Sequence, residues 1–170
     1  GDNMVDHAEF KYDDFYRVCN LLFSLTSLDV KLIDQEENIL LQLDSLTIPA
    51  SLQKTDIKYF KMADTLQKHS HTSYYYFTNT YGLDYITVGI WRNDIYYGAI
   101  IVGPFVATVP DDAFISNVIS KNNLPVSEHK QLLEFYKSLA IVNISTASSI
   151  GATLVNLSNH TYLQSQLITS

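Results

Sequence analysis

The chain has 170 residues, of which 46% are apolar and 17% charged, so it is long and apolar enough for one globular domain and unlike a disordered segment. Its formal net charge of -7 disfavours direct binding to nucleic acid or anionic lipid, and its single cysteine excludes an intrachain disulfide. No apolar run approaches the roughly 18 residues of a membrane helix. We therefore expect a single cytoplasmic domain over residues 1–170 that has no membrane partner.

The N-terminal part predicts a helix followed by a β-hairpin. The carboxylates of Asp6 and Glu9 are typical of a helix start, and apolar residues then recur at helical spacing to about Ser27. Two short strands are predicted at 30–34 and 39–43. In the polar turn between them, Asn38 is the residue best able to take a left-handed conformation.

The remainder predicts helices, then strands, then helices. Residues 51–69 predict one or two helices, whereas 73–109 is dense in aromatic and β-branched residues and predicts three antiparallel strands. Turns between these strands are expected at 81–82 and 93–94. Three further helices are predicted at 110–120, 127–137 and 141–163, the second of them capped by Ser127.

This order of elements is typical of an α+β domain. We expect a five-stranded antiparallel sheet flanked by helices, without an internal repeat or a second domain. The order is similar to that of the PAS and GAF-like sensor folds, but a fold by itself does not establish a function.

Residues with catalytic chemistry are scarce. Cys19 lies on the apolar side of the first helix, where a buried thiol is expected. His69 and His71 lack the further ligands that a metal site needs. Asp111 and Asp112 are typical of charges at a helix N-terminus, and no nucleophile-elbow, phosphate-loop or dinucleotide-binding motif occurs. We predict that the chain is not an enzyme and uses neither cofactor nor metal.

The aromatic strands carry the candidate binding site. If residues 93 and 94 form a two-residue hairpin loop, Trp91 faces Tyr96. In the same register Gly89 faces Gly98. Because side chains alternate along a strand, one face then holds Tyr85, Thr87, Gly89, Trp91, Tyr96 and Gly98. The opposite face then holds Ile86, Val88, Ile90, Tyr97, Ala99 and Ile101.

Aromatic walls around paired glycines are typical of a small-molecule pocket, so we predict that the first of these faces binds a ligand. The alternative is that helices cover both faces and that the glycines admit a close-packed backbone. Arg92 is the single Lys or Arg within residues 74–105, which makes a multiply charged phosphate the least favoured ligand.

The final predicted helix carries a stripe of small residues. Ala147, Gly151 and Leu154 lie near one line along it, and such residues permit close approach of a sheet or of another helix. The stripe packs either on the domain's own sheet or on a second subunit, and both uses are compatible if opposite faces serve them. These three residues are the candidates for dimerisation.

Four segments resemble a known sensor region. They are 76–85, 98–105, 124–127 and 135–139, and their most distinctive motif is Gly103-Pro104-Phe105. Together they are similar to the N-terminal GAF/PAS-like sensor domain of AraC-type transcriptional regulators from Gram-positive bacteria, over about residues 10–165. The resemblance implies a regulatory domain that responds to a small-molecule effector, forms a homodimer and binds DNA only through a helix-turn-helix part outside this chain.

Two other functions are compatible with the same fold. One is a protein-interaction or dimerisation module without a ligand, and the other is the sensor domain of a histidine kinase. The family supplies no set of binding residues that can be transferred to this chain. The candidate binding residues therefore rest on the alternation of side chains along the strands.

Overall fold

A computed structural model describes the backbone of residues 9–53 and 74–169, and the side chains of those up to residue 158. Its helices are α1 (Asp13–Thr26), α2 (Asp112–Asn122), α3 (His129–Ser138) and α4 (Ile144–Thr169). Its strands are β1 (Val30–Asp34), β2 (Ile39–Leu43), β3 (Tyr74–Thr78), β4 (Asp84–Arg92) and β5 (Ile95–Phe105). None of these described helices combines the length and the apolar character that crossing a membrane requires.

The five strands form one antiparallel sheet in the order β2-β1-β5-β4-β3. This arrangement confirms the predicted α+β class with a five-stranded antiparallel sheet. Strand β5 lies at the centre and is buried at eight of its 11 residues, whereas no residue of the edge strand β2 is buried. The core therefore lies around β5 and its neighbours.

Apolar clusters lie on both faces of the sheet. On one face, the helix face, α1 and α4 pack through residues such as Phe15 and Leu154. On the other, the aromatic face, Tyr85 and Tyr96 belong to a cluster that continues into α2 and α3. Because both faces are buried, β4 and β5 have nearly continuous apolar sequences instead of an apolar–polar alternation.

Helix α1 begins at Asp13, so the prediction that Glu9 starts the helix is wrong. The residues that precede the helix contact the sheet instead. The ring of Phe10 stacks on that of Tyr97, with centroids 4.1 Å apart, and the Tyr12 hydroxyl donates to the Tyr97 carbonyl oxygen at 2.7 Å. These contacts hold the segment across β5 in place of a first helical turn.

The turn between β1 and β2 also differs from the prediction. Glu37, not Asn38, takes the left-handed conformation, with φ at 69°. Asn38 is held by Asp34 instead: its backbone N–H donates to Asp34 Oδ1 at 2.8 Å and its side-chain amide donates to Oδ2 at 3.0 Å. These two bonds hold Asn38 against Asp34.

The last two helices begin at positions set by neighbouring turns. Helix α3 begins at His129 because the residues before it form a short 3-10 turn, so Ser127 is not its cap, contrary to prediction. Helix α4 begins after Asn143, whose side-chain oxygen accepts a hydrogen bond from the Thr146 N–H at 2.8 Å. It ends at Thr169, six residues beyond the predicted end at 163.

Several local predictions are confirmed. Asn93 and Asp94 form the two-residue hairpin loop, with φ of 51° and 64°. Asp111 caps α2 by accepting a hydrogen bond from the Phe114 N–H at 2.8 Å. Cys19 is fully buried on the helix face, where burial raises the pKa of its thiol to about 12. A thiol in that state is a small apolar core group and not a nucleophile.

Other predictions fall outside the described residues. These include Asp6, His69, His71 and residues 54–69 of the predicted helical segment. Of that segment, the described Leu52 is fully buried in the cluster of the aromatic face.

The predicted register of β4 and β5 is correct at the hairpin and wrong beyond it. Trp91 pairs with Tyr96 as predicted, but Ile90 then pairs with Gly98, which leaves Tyr97 as an extra residue on β5. Gly89 pairs with Ala99, not with Gly98. A β-bulge of this kind shifts every later residue of its strand to the other face.

Because of this bulge, residues of β5 that follow it lie on the face opposite the predicted one. Ala99 and Ile101 lie in the cluster of the aromatic face, although they were expected opposite it. Gly98 leaves the aromatic face, because it pairs with Ile90 of the helix-face cluster. Tyr97 precedes the register shift along β5 and packs on the helix face, as predicted.

Candidate functional site

The aromatic face brings together most of the predicted binding residues. Tyr85, Trp91 and Tyr96 pack in one cluster there. Thr87 is fully buried. Because its two neighbours on β4 lie on the helix face, Thr87 lies on the aromatic face. Gly89 lies two residues after Thr87 on β4 and therefore belongs to the same face. That these residues bind a ligand stays a prediction, but their placement on one face is confirmed.

The glycines do not leave open space on this face. A Cβ on Gly89 would lie 2.7 Å from Nε1 of Trp91, so the indole covers this position. A Cβ on Gly98 would lie 2.0 Å from the carbonyl oxygen of Ile33, where φ of +144° already requires glycine. Gly89 therefore makes room for Trp91, and Gly98 makes room for the neighbouring strand β1.

Trp91 and Tyr96 form an aromatic pair at the hairpin end of the face. Their ring centroids are 5.3 Å apart and their planes are inclined by 65°, an edge-to-face arrangement. The pair follows directly from the confirmed two-residue loop, which places the two residues opposite each other.

The Tyr96 hydroxyl is the most informative polar group of the site. The residue is 8% exposed, and among the described residues its buried oxygen has no hydrogen-bond partner. Burial, with a smaller contribution from Glu37, raises the pKa of this phenol, so it is neutral near pH 7. A neutral phenol can donate one hydrogen bond and accept others, and a buried one without a partner is costly.

Two buried polar side chains at the other end of the face are hydrogen-bonded. The Tyr136 hydroxyl of α3 donates to the Tyr81 carbonyl oxygen. The side-chain oxygen of Asn79 accepts hydrogen bonds from the N–H groups of Tyr81 and Leu83, at 2.9 and 3.0 Å. These bonds shape the turn between β3 and β4. Sequence reasoning overlooked Asn79, although an Asn three residues before Gly82 is a turn signal that could have revealed it.

We predict opposite effects for the removal of two buried tyrosine hydroxyls. Tyr136→Phe deletes a made hydrogen bond and should lower the free energy of unfolding by about 1 kcal/mol. Tyr96→Phe deletes a hydroxyl without a partner among the described residues and should leave that free energy unchanged or slightly raised. Urea denaturation of both variants measures the difference. An equal loss in both would mean that the Tyr96 hydroxyl is already satisfied.

The predicted dimerisation stripe packs within the domain. Ala147 and Leu154 are buried in the helix-face cluster, at 0% and 1% exposure. A Cβ on Gly151 would lie 2.5 Å from ring atoms of Tyr74 on β3. The alternative of packing on the domain's own sheet therefore applies to these three residues.

The distinctive Gly103-Pro104-Phe105 motif has a structural role at the end of β5. A Cβ on Gly103 would lie 2.6 Å from the Asp84 carbonyl oxygen, and the Gly103 N–H donates to the Asp29 carbonyl oxygen at 2.9 Å. Phe105 is fully buried on the helix face. The motif thus fixes the close approach of β5 to its neighbours.

The described residues contain no group of three or more His, Cys, Asp or Glu side chains placed to hold a metal ion. Comparison with known proteins finds no protein-family model and no curated protein that matches the chain.

Proposed function

We propose that this chain is the ligand-sensing regulatory domain of a cytoplasmic AraC-type transcription regulator, and that its effector binds at the hairpin end of the aromatic face. The observation that carries the proposal is the buried Tyr96 hydroxyl, which lies beside Trp91 and has no hydrogen-bond partner among the described residues. A bound effector would supply that partner. DNA binding would belong to a part of the regulator outside this chain.

Further features support this proposal. The element order is similar to that of PAS and GAF-like sensor folds, and four segments resemble the sensor region of these regulators. The formal net charge of -7 is compatible with a domain that leaves DNA contact to another part of the protein.

The site favours an uncharged or weakly charged effector with at least one hydrogen-bonding group. Tyr96 and Trp91 offer an aromatic wall with a polar tip, the combination that orients small molecules in apolar pockets. Arg92 is the single basic residue of the segment 74–105, so strands β3, β4 and β5 supply little to neutralise a phosphate.

The test uses the intrinsic fluorescence of Trp91, the single tryptophan of the chain. We expect a screen of sugars, nucleosides, peptides and apolar metabolites to find a saturable change in intensity or wavelength. Tyr96→Phe should weaken the binding of such a compound by about five- to tenfold, the loss expected for one hydrogen bond. Tyr136→Phe is the matched control and should bind with unchanged affinity, since its hydroxyl contacts the Tyr81 carbonyl oxygen instead. A screen without any response would remove the basis of the proposal.

One observation favours a second function, an interaction module that binds no ligand. The indole of Trp91 lies over Gly89, so part of the aromatic face is filled by the domain's own side chain. In that case all metabolites would leave the fluorescence unchanged while the domain remains folded. The remaining alternative is the sensor domain of a histidine kinase. The full reading frame would distinguish it from a transcription regulator, because a histidine kinase would carry a kinase core in place of a helix-turn-helix part.

A further inference from the structure

A cleft of about 690 Å³ lies at the end of the sheet opposite the Trp91 hairpin. It is formed where the corner between α1 and β1 meets the segment after β2, helix α3 and Pro104. We call it the corner cleft. Val30, the first residue of β1, pairs with Val102 near the end of β5, whereas Trp91 lies at the start of that strand. The volume is within the range of small-molecule sites.

The described walls of the corner cleft carry negative charge. Asp29 and Glu134 both line it, and the described residues of its lining include no Lys, Arg or His. Hydroxyl groups, such as that of Ser45, and apolar side chains, such as that of Phe135, complete the lining. A ligand there meets two carboxylates beside an apolar wall.

Asp29 is the central group of this cleft. It is 6% exposed, and one of its carboxylate oxygens accepts hydrogen bonds from the Ser45 N–H and hydroxyl, at 2.8 and 2.9 Å. Burial raises the pKa of this carboxyl group, and the hydrogen bonds from Ser45 oppose that effect. Among the described residues no ion pair neutralises Asp29. A buried carboxylate held in one position by neutral donors is stabilised when a cation binds beside it.

We propose that the corner cleft binds a small organic cation of the ammonium type, with Asp29 and Glu134 as its charge partners. Asp29 is positioned before binding by Ser45, so its orientation requires little reorganisation. Glu134 is exposed on α3 and also lines the cleft, which makes it the second charge partner. This site lies at the other end of the sheet from Trp91, and the proposal does not depend on the proposed effector.

The test compares choline with its uncharged carbon isostere, 3,3-dimethyl-1-butanol, by titration followed with amide NMR. We expect choline to shift the amide signals of Ser45 and Leu46 in a saturable manner, because these residues line the cleft beside Asp29. The isostere should leave them unchanged. Trp91 fluorescence should not respond, since the indole lies at the other end of the sheet.

Substitutions of the two carboxylates test whether they are the charge partners of the cation. Asp29→Asn should weaken choline binding by at least about tenfold and Glu134→Gln by about three- to fivefold, as expected for a buried and an exposed partner of a cation. The matched control is Glu36→Gln, which removes an equal charge from an exposed site in the β1–β2 turn and should change the affinity by less than about twofold.

Three outcomes would overturn the proposal. They are the absence of saturable shifts with choline, equal binding of the uncharged isostere, and an effect of Glu36→Gln as large as that of Glu134→Gln. If Asp29→Asn fails to fold, Glu134→Gln still tests the proposal, because Glu134 is exposed on the helix surface and replacement by Gln preserves its size.

Discussion

Gly98→Ala should lower the free energy of unfolding by about 4 kcal/mol, the largest effect that we expect from one added methyl group. Two causes act together. The φ of +144° is rarely adopted by residues with a side chain, and the new Cβ would lie 2.0 Å from the Ile33 carbonyl oxygen. Backbone atoms of a paired strand cannot move aside without breaking the pairing of β1 with β5. Chemical denaturation monitored by circular dichroism measures the loss.

The matched control is Gly89→Ala on the neighbouring strand. Its Cβ would meet a side-chain atom, Nε1 of Trp91 at 2.7 Å, and an indole can rotate away. We expect a loss of about 1 kcal/mol together with a changed tryptophan emission spectrum. Equal losses in the two variants would contradict the explanation, since it depends on a backbone obstacle at Gly98 and a movable one at Gly89.

Gly151→Leu should lower the free energy of unfolding by about 3 kcal/mol without changing the mass of the protein in solution. Ring atoms of Tyr74 lie 2.5 Å from the position of a Cβ on Gly151, so a leucine would force α4 away from β3. Thermal or chemical denaturation measures the first effect and sedimentation equilibrium the second.

Ala152→Leu is the control for this substitution. Ala152 is the next residue of α4 and is exposed, so the same side chain should change stability by less than about 0.5 kcal/mol. A Gly151→Leu variant of normal stability that dissociates from dimer to monomer would instead place the stripe at a subunit contact. That result would refute the packing of the stripe on the domain's own sheet.

The fold class and the bounds of several elements could be predicted from the sequence. Strands β1 and β2 have the predicted bounds, because apolar runs of that length beside polar turns are local signals. The loop at Asn93 and Asp94 is equally local, since few other residues tolerate two successive positive φ angles. The pairing of Trp91 with Tyr96, and thus the aromatic pair of the candidate site, follows from that loop alone.

Which residues share a face beyond the hairpin depends on tertiary contacts. The bulge at Tyr97 arises where β5 meets β1 and the N-terminal segment, with Gly98 against the Ile33 carbonyl oxygen and Phe10 stacked on Tyr97. Neither contact partner is near in sequence, so alternation along the strand could not reveal the shift. One inserted residue then exchanged Ala99 and Ile101 between faces.

Distant partners also decided the roles of the small-residue stripe and of the corner cleft. The stripe on α4 is equally suited to a sheet and to another helix, and the position of Tyr74, more than 70 residues earlier, selects the sheet. The corner cleft joins Asp29, Ser45, Pro104 and Glu134 from four separate segments. Periodicity and turn chemistry act over a few residues, whereas faces, partners and cavities depend on which segments the chain brings together.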